Sequence, residues 1–148
     1  MAVIERSIVV DAPADRIFAY LADPMTMLEY MPSLVDVRDV KTTEQGVGTE
    51  WRWTYKMAGL PFDGQGRVTE FERNRRRVIQ TKGGIDSTWK WDFKSKNGAT
   101  DLRLVVEYTI PIPVLGKLAE SLVLGQNERM ADLIMGNVKD CVEAKEPA

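Results

Sequence analysis

Along most of the chain, apolar and polar positions alternate with a period of two, the spacing of a strand with one face buried. In residues 49–57, Trp51, Trp53, Tyr55 and Met57 fall on one face and Glu50, Arg52, Thr54 and Lys56 on the other. Residues 87–94 repeat the pattern, with Trp89, Trp91 and Phe93 against Thr88, Lys90, Asp92 and Lys94. Residues 100–110 do so again, with Leu102, Leu104, Val106, Tyr108 and Ile110 on the apolar side. The period changes over residues 114–145. There Leu115, Leu118, Leu122, Met130, Leu133, Ile134, Val138, Cys141 and Val142 recur at helical spacing. Such a helix spans roughly 45 Å. Its apolar stripe rotates around Gly125, which predicts either a bend there or a straight helix that tolerates the glycine.

The remaining segments fall between these. Residues 3–10 read as a strand that stops at Asp11-Ala12-Pro13, with Pro13 suited to the first turn of a helix over 14–21. Asp23 and Pro24 cap a second short helix over 25–30. Residues 33–43 resume as strand, and 44–48 form a glycine-bearing turn. Residues 58–64 (AGLPFDG) read as a loop by their glycine and proline content. Strands follow at 66–73 and 78–81, joined by a polar turn over 73–77 (RNRRR). Asn97-Gly98 marks a hairpin. Pro111 and Pro113 end the last strand and launch the final helix. The order is strand, two short helices, six strands and a long helix. That predicts an α+β fold: a seven-stranded curved antiparallel sheet wrapped around the C-terminal helix, in one domain over 1–148.

At this point a resemblance becomes specific. The DAPADRIFAYLADP segment (11–24), the meander, the GGIDSTWKW run (83–91), the stretch from Tyr108 to Gly116 and the closing NVKDCVE (137–143) resemble the START-like, helix-grip (SRPBCC) superfamily. Within it, the polyketide cyclase/dehydrase and coenzyme-Q-binding branch is the most similar. The resemblance covers essentially the full length. It implies a hydrophobic cavity between sheet and helix, with lipids, quinones or polyketides as ligands. It transfers no catalytic residue, because no catalytic motif is matched, and fold alone does not settle function.

Composition narrows the chemistry. The chain has 148 residues, 44% hydrophobic and 28% charged, with a net charge of -2. That suits a globular protein and argues against nucleic acid as partner. The opening MAVIERSIVV is neither a secretory signal nor a membrane span, so the expected location is cytoplasmic. There is no histidine and one cysteine, Cys141. No internal disulfide forms, no metal site or other cofactor is expected, and the usual nucleophile triads are excluded.

The two W-x-W pairs are the sharpest feature. Trp51, Trp53, Trp89 and Trp91 either line a chamber or fill a solid core. Tyr55, Met57, Tyr108, Leu118, Leu122 and Met130 are further candidate wall residues. Phe62, on the predicted loop, either controls access to the chamber, touches a membrane transiently, or tucks into the rim. The strand charges Arg52, Glu70, Glu72, Arg103 and Glu107 should mostly face water, and spacing does not show which of them turn inward. Residues 73–77 read as a solvated basic tip, or as a patch for an anionic surface. Three functions fit: a binder or carrier of a hydrophobic small molecule, a cyclase or dehydratase using a cavity carboxylate, or an interaction module. The missing histidine and nucleophile favour the first. Monomer and homodimer are equally compatible with the sequence.

Overall fold

The alternating segments pair into one sheet, and the helical segment packs beside it. The computed structural model describes residues 2–57, 59–83, 85–109 and 120–144, the last with side chains from 125 onward. The elements are β1 (Ala2–Val10), α1 (Ala14–Ala22), a 3-10 turn (Pro24–Thr26), α2 (Met27–Tyr30), β2 (Leu34–Lys41), β3 (Glu50–Met57), β4 (Leu60–Glu72), β5 (Arg76–Gly83), β6 (Ser87–Lys96), β7 (Ala99–Tyr108) and α3 (Glu120–Ala144). The seven strands form one curved antiparallel sheet in the order β1-β7-β6-β5-β4-β3-β2. This is the helix-grip arrangement, as expected.

Hairpin turns set the registers. Asn97 and Gly98 both have positive φ, the geometry of a two-residue turn that matches strand twist. β6 and β7 then pair without a shift from Lys96↔Ala99 to Ser87↔Tyr108. Between β1 and β2 the chain leaves the sheet. Asp23 accepts a hydrogen bond from the Met25 amide at 3.0 Å, and Pro24 opens the short turn before α2. Pro13 stands at the N-cap of α1, one position earlier than a first-turn proline.

α3 contacts β1, α1 and α2. Ala131, Ile134, Met135, Val138 and Val142 form its buried stripe. Leu133, expected on that stripe, is 51% exposed. Helix hydrogen bonding continues through Gly125, so the glycine does not break it. The helix is tied by Asn137, which donates to the Tyr30 carbonyl at 3.2 Å, and by Lys139, which donates to the Val9 carbonyl at 2.9 Å. Arg6 and Asp132 form an ion pair at 2.6 Å. At the closed end of the fold, Phe18 of α1 packs edge-on against Phe71 and Phe93, with ring centroids 4.9 and 5.1 Å apart. There too the fully buried Thr100 hydroxyl donates to the Ala12 carbonyl at 2.8 Å. Thr100→Val keeps the shape and removes the donor. It should lower stability by about 1–3 kcal/mol in urea unfolding.

Two sequence expectations change here. Residues 60–64, read as a loop, belong to β4, which pairs with β3 from Met57↔Leu60 onward. Pro61 is exposed and opens the strand, where a missing N–H does little harm. Residues 76 and 77, read as part of a polar tip, open β5. Arg76 faces out and pairs with Glu70 at 2.7 Å and Asp92 at 2.9 Å. Arg77 faces in and has no exposed surface.

Candidate ligand cavity

The concave face of the sheet is built from paired positions, which point the same way across an antiparallel ladder. One row reads Ile79, Trp89, Val106, Ile4; the next reads Thr81, Ser87, Tyr108, Ala2. Trp51, Trp53, Tyr55 and Met57 contribute the same face of β3. Their partners explain how two indoles fit side by side. Trp51 is opposite Gly66 and Trp53 opposite Gly64. A methyl group at Gly66 would come within 2.7 Å of the Trp51 ring, and one at Gly64 would collide with Trp53. The rings therefore lie over bare backbone, which only glycine allows.

These rows, α2 and α3 line a cavity of about 100 Å³, room for several water molecules. Sheet residues on its wall include Trp51, Trp53, Tyr55, Met57, Trp89, Trp91 and Tyr108. Tyr30, Met27 and Met31 come from the α2 region, and Asn127, Met130, Ala131 and Ile134 from α3. Phe62 is buried but does not reach the wall. Leu118 lies outside the described residues, and so does the side chain of Leu122.

The wall is apolar with a few polar atoms. The Trp89 indole donates to the Ser87 hydroxyl at 3.0 Å, and the Ser87 and Thr81 hydroxyls bond each other. The Trp53 indole nitrogen is buried without a hydrogen-bond partner, and the buried Tyr108 hydroxyl has the Asn127 side chain beside it. Burial pushes the Tyr108 hydroxyl pKa up, and Asn127 opposes this. Burial raises Tyr30 and Tyr55 as well. These phenols are donors and poor bases. No carboxylate is among the described wall residues. Strand charges whose direction spacing left open point away from the cavity: Glu107 meets Lys90 at 2.9 Å and Arg103 meets Glu5 at 2.7 Å. Among the described residues no cluster of His, Cys, Asp or Glu fits a metal ion, and no helix is long and apolar enough to cross a membrane. Cys141 is half-buried on α3, away from the wall.

Sequence reasoning missed the wall residues of α2, because a four-residue helix carries too little periodicity to show its inner face. It also missed Gly64 and Gly66. Their signal was present: G-x-G in one strand facing W-x-W in the next.

Solved structures share this architecture. TTHA0849 from Thermus thermophilus superposes with a TM-score of 0.84 at 19% identity, covering 99% of this chain and 100% of that one. The Zhui aromatase/cyclase from Streptomyces sp. R1128 gives 0.76 at 18% identity, covering 99% and 96%. Ara h 8.0201 gives 0.68 at 13%, covering 97% and 99%. At such identities the likeness establishes the fold. No curated protein matches the sequence. Residues 1–143 match the family described as polyketide cyclase / dehydrase and lipid transport, and the chain belongs to that family.

Proposed function

We propose that the protein binds a hydrophobic small molecule, a lipid, quinone or polyketide-like compound, between its sheet and α3, and carries it unchanged. The observation that supports this reading is the wall itself: aromatic and methionine side chains around open space, with no acid–base pair among the described residues. Burial of apolar ligand surface supplies affinity at about 25 cal/mol per Å². Methionines let the wall adapt to the ligand's shape. The unpartnered Trp53 indole offers a donor to a ligand oxygen, and the Tyr108 hydroxyl beside Asn127 a second. A cyclase or dehydratase would need a group that takes a proton, and phenols with raised pKa values are weak candidates. A cytoplasmic location belongs to this reading and rests on sequence alone. So does transient membrane contact. Its place moves from the buried Phe62 to the nearby exposed Leu60 at the β3–β4 turn.

Native mass spectrometry of protein purified from its own source tests the proposal. A one-to-one adduct that releases an apolar molecule on activation is the expected result. Bare protein, together with turnover of a polyketide-like substrate, would favour the enzyme instead.

A further inference from the structure

Arg77 is the only charged side chain among the described residues with no exposed surface, and the cavity reading above leaves it unexplained. None of its three guanidinium nitrogens has a hydrogen-bond partner. Five donors without an acceptor in an apolar interior are costly, and buried polar groups are otherwise nearly always paired. The surroundings are aromatic. Across the sheet, Arg77 stands between Phe71 of β4 and Trp91 of β6, with Leu104 next in the same row. Tyr30 of α2, which lines the cavity, feels the positive charge: Arg77 opposes the rise that burial causes in its pKa.

The position matters as much as the isolation. Ile79, two residues further along β5 on the same face, lines the cavity, and so does Trp91 in the row of Arg77 itself. Two residues of strand cover about 7 Å, within reach of an arginine side chain. Arg77 therefore lies immediately behind the inner end of the cavity, at the boundary with the packed Phe18–Phe71–Phe93 cluster. Tyr30 and Trp91, whose rings meet edge-on with centroids 6.2 Å apart, stand beside it on the cavity wall, so presenting the guanidinium to the cavity requires these rings to part.

We propose that Arg77 receives the carboxylate of an apolar monocarboxylic acid, which enters head first with its hydrocarbon part against the indoles and methionines. The planar fork of a guanidinium matches a carboxylate through two parallel hydrogen bonds. One arginine balances one negative charge, and no other buried cation among the described residues would serve a phosphate. A dry site strengthens the pair once it forms. The inference rests on the cavity being the binding site and adds the class and orientation of its ligand.

The test compares dodecanoic acid with 1-dodecanol and methyl dodecanoate, by displacement of a neutral fluorescent probe near pH 8, where the acid is ionised. The acid should bind about tenfold or more tightly than the alcohol or ester. Arg77→Met should remove that preference without lowering the melting temperature, since it also removes an unpaired buried charge. Arg77→Lys should keep part of the preference. Equal affinities for the three compounds would overturn the proposal, as would a preference that survives in Arg77→Met. Destabilisation of Arg77→Met with selectivity intact would assign Arg77 a purely structural role against the Phe71 and Trp91 rings, and would also overturn it. Binding of alcohol and ester without preference for the acid defeats this inference alone. Failure of all three to bind defeats the cavity reading with it.

Discussion

Gly64→Ala should destabilise the fold by about 3 kcal/mol, and Gly66→Ala by about 1 kcal/mol, although both place one methyl group under a tryptophan. The difference lies in what each methyl meets. At Gly66 the three nearest atoms all belong to the Trp51 ring, which has cavity space on its other side. At Gly64 the methyl meets Trp53 and also the Lys82 carbonyl at 2.5 Å, which is backbone of the neighbouring strand. A side chain can yield by a rotamer change, whereas a paired strand cannot without losing ladder hydrogen bonds. Gly64 is also opposite Gly83, whose φ is +113°, so the two backbones are packed as closely as glycines permit. Urea unfolding of the two variants checks the order. Equal costs, or a larger cost at Gly66, would mean that the indoles are not seated on β4 as described.

Ala131→Phe should abolish binding of apolar ligands, a loss of about a hundredfold or more in affinity, while leaving the protein as stable as before or up to about 2 kcal/mol more so. Ala131 is buried on the inner stripe of α3 and lines the cavity. A phenyl ring there enters open space already bordered by Met130, Ile134 and the sheet indoles. In a close-packed interior the same substitution would be overpacking and cost about 1–3 kcal/mol or more. Stability and affinity thus move in directions that distinguish a chamber from a solid core, and thermal unfolding with a ligand titration reads both.

Much of this architecture is legible in the order of residues alone. Period-two runs such as 49–57 and 100–108 announce their inner faces directly, because one face of the sheet is wet and the other is not. Asn97-Gly98 announces its turn because positive φ at two successive positions demands such residues. The failures are equally physical. Residues 60–64 look like a loop because Pro61 and Gly64 are poor strand formers in isolation. They are strand because Gly64 makes room for Trp53 and Pro61 sits at the strand's opening. Arg77 looks like the last member of a solvated basic run. Only its place in β5, cross-strand from Trp91, turns it inward. A charge in a sequence carries no label for the face it will occupy until the register is known. Leu133 is the opposite case. Its spacing fits the apolar stripe of α3, but it stays exposed while Ile134 and Val138 are buried, on a helix that meets β1, α1 and α2.

The most direct measurement is a titration of the wild-type protein with N-phenyl-1-naphthylamine, a neutral apolar fluorophore, exciting the tryptophans and reading energy transfer to the probe. All four tryptophans of the chain border the cavity, so a bound probe lies within a few ångströms of its donors. Saturable one-to-one binding in the micromolar range or tighter, with efficient transfer and loss of both in Ala131→Phe, is the predicted result. Linear, unsaturable transfer, or a saturable signal that Ala131→Phe leaves unchanged, would place the probe elsewhere and contradict a ligand chamber between the sheet and α3.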